Sequence, residues 1–176
     1  MIPQDGLGTV STHLDDEIAD YFRAHYPRLV GFLRKASELT EETAHQAAQH
    51  AFLVLRKKWP DLRQPGQNPR AYLYKTAENW VRRNDRPEPL VFVDDLTTFD
   101  QAAGIAVEEE VMLSMRIDEL LARLPERQRQ VIFLHYFHRF TMNEIAEILG
   151  ITPGTVKSTA SDARGNLRGW LEQESR

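Results

Sequence analysis

An all-α chain of two small helical domains is what this sequence predicts, and three observations carry that prediction. Apolar residues recur at spacings of three and four, with no alternating strand pattern. Helix-capping residues and prolines stand where those periodic segments begin. A segment with acidic charges only, residues 87–115, separates two weakly basic blocks. Residues 1–86 carry a net charge of +2, residues 87–115 of −7 and residues 116–176 of +1.

The elements follow in order. Residues 1–13 are polar and contain glycine, so a disordered start is expected. Leu14 to Leu39 is helical, with Leu29, Val30, Phe32 and Leu33 on its apolar stripe; Pro27 predicts a break or a second helix start. Thr40 caps a helix running to about Trp59, whose inner face is Ala44, Ala47, Ala48, Ala51, Phe52 and Leu55. Pro60 to Pro69 reads as a turn-rich loop, and Arg70 to about Asp85 as a further helix. Pro87 and Pro89 end that block, and residues 87–110 read as a mostly extended linker. Helices resume near Glu109, and Pro125 starts another, with Val131, Ile132, Leu134 and His135 facing a core. The predicted domains are thus 14–86 and 111–172.

The densest signal is residues 141–168, two helices about a tight turn. Thr141 with Glu144 makes a capping box. Gly150 supplies the positive φ that ends the first helix. Thr152 caps the second, and Pro153 takes its first position, where a missing N–H costs nothing. Val156, Ala160, Ala163 and Leu167 form the buried stripe. Ala146, Gly150 and Val156 have the spacing of a helix-turn-helix, which presents its second helix to a DNA major groove. Off that stripe stand Thr155, Lys157, Ser158, Thr159, Ser161, Asp162 and Arg164, residue types that reach phosphates or base edges. Arg127 and Arg129 add candidate phosphate contacts.

In the N-terminal block, Arg70, Tyr72, Tyr74, Lys75, Trp80, Arg82, Arg83 and Arg86 interleave rings with cations. Rings stack on unpaired bases while cations follow the backbone, which suits single-stranded DNA. Tyr74 and Trp80 also fit the core stripe, which leaves Tyr72 as the stacking candidate.

Catalysis finds no footing. There is no cysteine, no Gly-rich phosphate loop, and no zinc spacing among the six histidines. His135 and His138 could share a metal, but packing on a helix is the simpler role. No enzyme and no cofactor are predicted. There is no signal peptide and no bilayer-length apolar run, so a cytoplasmic protein without membrane insertion is expected.

Residues 121–158, LARLPERQRQVIFLHYFHRFTMNEIAEILGITPGTVKS, resemble region 4 of bacterial RNA polymerase sigma factors of the extracytoplasmic-function group. YPRLVGFLRKASELTEETAHQAAQHAFLVLRKKW and NPRAYLYKTAENWVRR are similar to region 2. The resemblance implies a factor that binds core RNA polymerase, directs it to promoters and helps open the duplex. It implies that residues 125–168 read the −35 element, through Arg127, Thr152, Thr155, Lys157, Ser158, Ser161 and Arg164. Residues 61–86 would hold the −10 element, through Arg63, Asn68, Arg70, Tyr72, Lys75, Asn79, Arg82 and Arg83, with the 61–70 loop taking an extruded base. Gln46, Gln49, His50 and Leu53 would contact the core polymerase, and the acidic linker would thread a channel built for nucleic acid. The family often uses an anti-sigma factor, so such a partner or an accessory protein is implied.

The chain departs from the family pattern in three places. Gln46 and His50 stand where carboxylates are usual, Thr159 and Asp162 where bases are common, and Glu78 replaces a commonly basic residue beside Asn79. Two other readings stay open: a freestanding helix-turn-helix regulator on duplex DNA, and a sigma-like decoy that binds a regulator or polymerase without initiating.

Overall fold

The computed structural model describes residues 7–84 and 108–174. Among them are seven α-helices, one π-helical segment and no strand. The helices are α1 (Leu7–Ala36), α2 (Glu41–Leu62), α3 (Pro69–Arg83), α4 (Glu108–Ala122), α5 (Glu126–Ile132), α6 (Met142–Leu149) and α7 (Pro153–Glu174), with the π segment over Phe133–Phe137.

Helix α1 starts at Leu7, so residues 7–13 belong to a helix rather than to the disordered start expected. It also runs through Pro27 without the predicted break. Proline removes one backbone hydrogen bond, but packing grips α1 on both sides of it. Before Pro27, Phe22 meets Phe52 at 4.8 Å and Tyr21 meets Trp59 at 4.8 Å. After it, Leu29, Phe32 and Leu33 are fully buried.

Helix α2 opens on Thr40, whose hydroxyl accepts from the Thr43 amide at 2.9 Å. It passes Pro60 to reach Leu62, which shortens the predicted loop to residues 63–68. All six predicted inner-face residues are buried. Asn68 then caps α3, accepting from the Ala71 amide at 3.0 Å, and Pro69 takes the first turn. The predicted linker lies outside the described residues, except that Glu108 to Glu110 open α4.

Helices α1 to α3 pack on one another, as do α5 to α7, and α3 meets α6 while α1 meets α5. One continuous core results, from Leu29 through Tyr74 to Ala163. The helix predicted from Pro125 divides into α5 and the π segment, where the His138 amide donates to Phe133 O at 3.0 Å. The wider turn ends at Arg139, which has positive φ.

The capping box is present: the Thr141 amide donates to Glu144 Oε2 at 2.7 Å and the Glu144 amide to Thr141 Oγ1 at 3.3 Å. Gly150 has φ +66°, and the Ile151 amide reaches back to Ala146 O at 3.0 Å. A Cβ on Gly150 would lie 3.6 Å from the Arg82 guanidinium, so the backbone rather than crowding demands glycine. Gly150→Ala is expected to lower stability by about 1–2 kcal/mol, the cost of a left-handed L-residue. Urea unfolding checks this; an unchanged midpoint would remove the strain account.

Candidate nucleic-acid interface

Helix α7 is positioned by its apolar stripe. Val156, Ala160 and Ala163 are buried and Leu167 half-buried, and these small side chains let α7 lie close against α5 and α6. The opposite face is open: Thr152, Thr155, Lys157, Ser158, Ser161 and Arg164 are all exposed. Lys157, Ser161 and Arg164 fall at i, i+4 and i+7, hence on one line along the helix. Thr152 is also the N-cap, since the Thr155 amide donates to its Oγ1 at 3.1 Å. Ser158 donates to Thr155 O at 3.0 Å, leaving its oxygen able to accept. Arg127 is exposed and donates to Gln130 Oε1 at 3.1 Å.

Arg129 is not a phosphate contact. It is only 2% exposed and donates to Ala36 O at 3.3 Å and Ala122 O at 2.9 Å, the last residues of α1 and α4. Its other nitrogen pairs with Glu38 at 2.5 Å. A cation held at helix C-termini by orphan carbonyls cannot also reach DNA.

Helix α3 carries the second face. Ala71, Tyr74, Ala77, Glu78 and Val81 are buried. Tyr72, Lys75, Asn79, Arg82 and Arg83 run along the other side, with Lys75, Arg82 and Arg83 exposed and Tyr72 and Asn79 half-buried. Tyr74 is core, as its spacing suggested; Trp80 is half-buried against that core. The Arg82 guanidinium donates to Asn79 Oδ1 at 3.3 Å.

Two of the expected −10 residues are already engaged by the C-terminal half. Asn68 hydrogen-bonds Glu144 and the Arg70 guanidinium lies 4.2 Å above the Phe140 ring, while Arg82 stays exposed near Gly150. Arg63, on the loop, pairs with Glu17 at 2.8 Å. Glu78 does not face solvent. Its carboxylate accepts from Ser37 Oγ at 3.0 Å and from Gln130 Nε2 at 3.4 Å.

His135 and His138 have packing roles: His135 Nδ1 is 3.1 Å from Phe140 O and His138 Nδ1 is 3.0 Å from the Tyr74 hydroxyl. Burial, then the charges of Arg70 and Arg28, lowers the His138 pKa to about 4, so its ring is neutral at pH 7.

On α2, Gln46, Gln49, His50 and Leu53 are all exposed and form one stripe. Gln46 donates to Glu42 at 3.2 Å. Beside Leu53 and Gln49 lies a groove of about 550 Å³, completed from α1 by Ile18 and Phe22. Sequence reading did not single out those two, which stand apart from the stripe of Leu29, Val30, Phe32 and Leu33. Among the described residues, no helix is long and apolar enough to cross a membrane.

A helix-turn-helix with an open outer face, joined to a helix lined by a ring and cations, is the arrangement of a helical transcription factor. Comparison with known proteins narrows this class. Residues 21–86 match the family described as Sigma-70 region 2, and residues 114–167 match Sigma-70, region 4. The chain is 27% identical over 168 residues to an ECF RNA polymerase sigma factor, RpoE of Cereibacter sphaeroides, covering 92% of this chain and 91% of that one. It is 29% identical to the ECF sigma factor SigL of Mycobacterium tuberculosis, covering 91% and 88%. Its fold is similar to that of the sigma factor RpoE of Bartonella quintana, solved with the anti-sigma factor NepR: the TM-score is 0.62 at 22% identity, covering 89% of this chain and 97% of that one. The chain belongs to the sigma-70 family, in its extracytoplasmic-function group.

Proposed function

We infer that this chain reads both promoter elements and assists melting, within the general activity of its family, which is to direct RNA polymerase to promoters. One observation supports this most: the two regions matched by the family each present a helix with one buried and one open polar face. Residues 111–172 act as the −35 reader. Lys157 and Arg164 make the principal contacts on α7, Ser158 and Ser161 adjust to base edges, and Thr152 and Thr155 hold the helix start against phosphate. Residues 14–86 act on the −10 element. Tyr72 offers a stacking face, Lys75, Asn79, Arg82 and Arg83 follow the strand, and the loop from Arg63 to Asn68 receives an extruded base.

The α2 stripe of Gln46, Gln49, His50 and Leu53, with its apolar groove, docks on core RNA polymerase. Linker residues 87–110 occupy a cationic channel of the enzyme, and an anti-sigma factor or accessory protein holds the chain between uses.

Run-off transcription with core polymerase on a genomic promoter pool tests the reading. Protein-dependent starts sharing two spaced upstream elements are expected. Lys157→Ala/Arg164→Ala should weaken promoter binding by roughly 30-fold or more, since the two base-reading contacts carry about 1–3 kcal/mol each. The salt dependence of binding should also flatten, its slope falling by about 1 for each side chain that no longer neutralises a phosphate. Unchanged starts and slope with this variant would refute the assignment of α7.

A further inference from the structure

We propose that Asp162 is a specificity determinant of the −35 reader: its carboxylate accepts from the exocyclic amine of one cytosine in the major groove and penalises the other bases there. The inference rests on the assignment of α7 to the −35 element and deepens it.

The register of α7 places Asp162. At about 100° per residue, the buried stripe of Val156, Ala160 and Ala163 has Gly154, Ser158, Ser161 and Gly165 on the opposite side, all of them exposed. That outermost line is small, and a Cβ on Gly165 would meet nothing within 4 Å. Short side chains there let the helix sit deep in a major groove, so that residues on its two flanks reach base edges. Lys157 and Arg164 occupy one flank. Asp162, also exposed, occupies the other, roughly 150° around the helix from them. A helix lodged in the groove thus turns its cations toward one wall and its acid toward the other.

The carboxylate arrives there without a neutralising partner. Its helical neighbours at three and four residues are Ser158, Thr159, Gly165 and Asn166, none of them a cation. Asn166 and Ser158 direct their donors elsewhere: Asn166 Nδ2 donates to Gln128 Oε1 at 2.8 Å and Ser158 Oγ to Thr155 O at 3.0 Å. An anion brought into the field of the phosphates weakens binding unless a donor meets it. In the major groove only cytosine N4 and adenine N6 donate. Adenine sets the acceptor N7 beside N6 and so repels the second carboxylate oxygen, whereas cytosine carries no acceptor on its own major-groove edge. Guanine and thymine offer acceptors and no donor. Asp162 therefore selects both by attraction to cytosine and by repulsion from the rest.

The test uses holoenzyme reconstituted from the full chain and core polymerase. Templates are built on a promoter found in the run-off assay, with each −35 base pair randomised, and transcripts are counted by sequencing. With the natural chain, one position should favour cytosine at least about fivefold over guanine and thymine. Asp162→Ala should lower that preference below about twofold, chiefly by raising output from the other bases, while the remaining positions keep theirs. Asp162→Asn should move the preference at the same position to adenine, because an amide offers an acceptor to N6 and a donor to N7. No cytosine preference with the natural chain would overturn the proposal. So would an equal rise on all templates with Asp162→Ala, which would mean only general repulsion of phosphates. Profiles indifferent to both Asp162 substitutions, but altered by Lys157→Ala/Arg164→Ala, would also overturn it and leave α7 as the reader. If Lys157→Ala/Arg164→Ala changed nothing either, the assignment of α7 would fall and this inference with it.

Discussion

Arg129→Ala should destabilise the chain by about 2–4 kcal/mol, the cost of emptying a buried site and leaving helix-end carbonyls without their donor. That is a large share of the roughly 5–15 kcal/mol that holds a protein of this kind folded. The guanidinium satisfies three acceptors at once. Ala36 O and Ala122 O are terminal carbonyls of α1 and α4 with no partner inside their helices, and Glu38 sits just beyond α1 with positive φ. Removing the fork leaves the buried Ala36 carbonyl and the part-buried Ala122 carbonyl without their donor, while the exposed Glu38 carboxylate exchanges its partner for water. Arg129→Lys should recover only part of the loss, since an ammonium cannot span three acceptors in a plane. Equilibrium urea unfolding measures this. A loss under about 1 kcal/mol for Arg129→Ala would show that water replaces the guanidinium, contrary to its burial.

Arg129 also marks where sequence reading stopped. Five residues into the Pro125 segment, beside Arg127, it had the look of a phosphate contact. Nothing local distinguishes the two arginines. What separates them is that Ala36 arrives from the other half of the chain, 93 residues away. The same distance hid Glu78, whose partners lie 41 and 52 residues off. The helix-turn-helix was legible because its determinants are short-range. Thr141 and Glu144 are three apart, Gly150 takes the conformation its lack of a side chain allows, and Val156, Ala160 and Ala163 repeat at helical spacing. The open faces of α2, α3 and α7 followed from the same periodicity. Pro27 misled for the opposite reason. Its local penalty is real, but aromatic packing before it and buried leucines after it outweigh one missing hydrogen bond. The core shared by the two regions is a feature that composition cannot reveal, because its apolar members look like ordinary core in either half alone.

Acid should destabilise this shared core. His138 carries no charge at pH 7, because burial first, and then Arg70 and Arg28, lower its pKa from 6.5 to about 4. The groups facing it are the Tyr74 hydroxyl on α3, the Phe32 ring on α1 and those two cations, none of which welcomes an imidazolium. A histidine kept neutral by folding stabilises the fold fully above its unfolded value of about 6.5. As pH falls toward 4 the unfolded or opened chain binds the proton first, and that stabilisation drains away, by roughly 2 kcal/mol at pH 5 and roughly 3 at most. His25 is shifted the same way by burial and the same two arginines, and adds to the trend. Melting temperature should therefore fall between pH 7 and pH 5, by several degrees on the usual scaling of about 2–4 °C per kcal/mol for a chain of this size. His138→Leu keeps the site filled and apolar and should flatten most of that slope, leaving the share due to His25. Parallel pH profiles for the natural chain and His138→Leu would show that His138 does not carry the pH dependence. A flattened profile would identify His138, buried against Tyr74 and Phe32 of the opposite half, as the group whose protonation the fold resists.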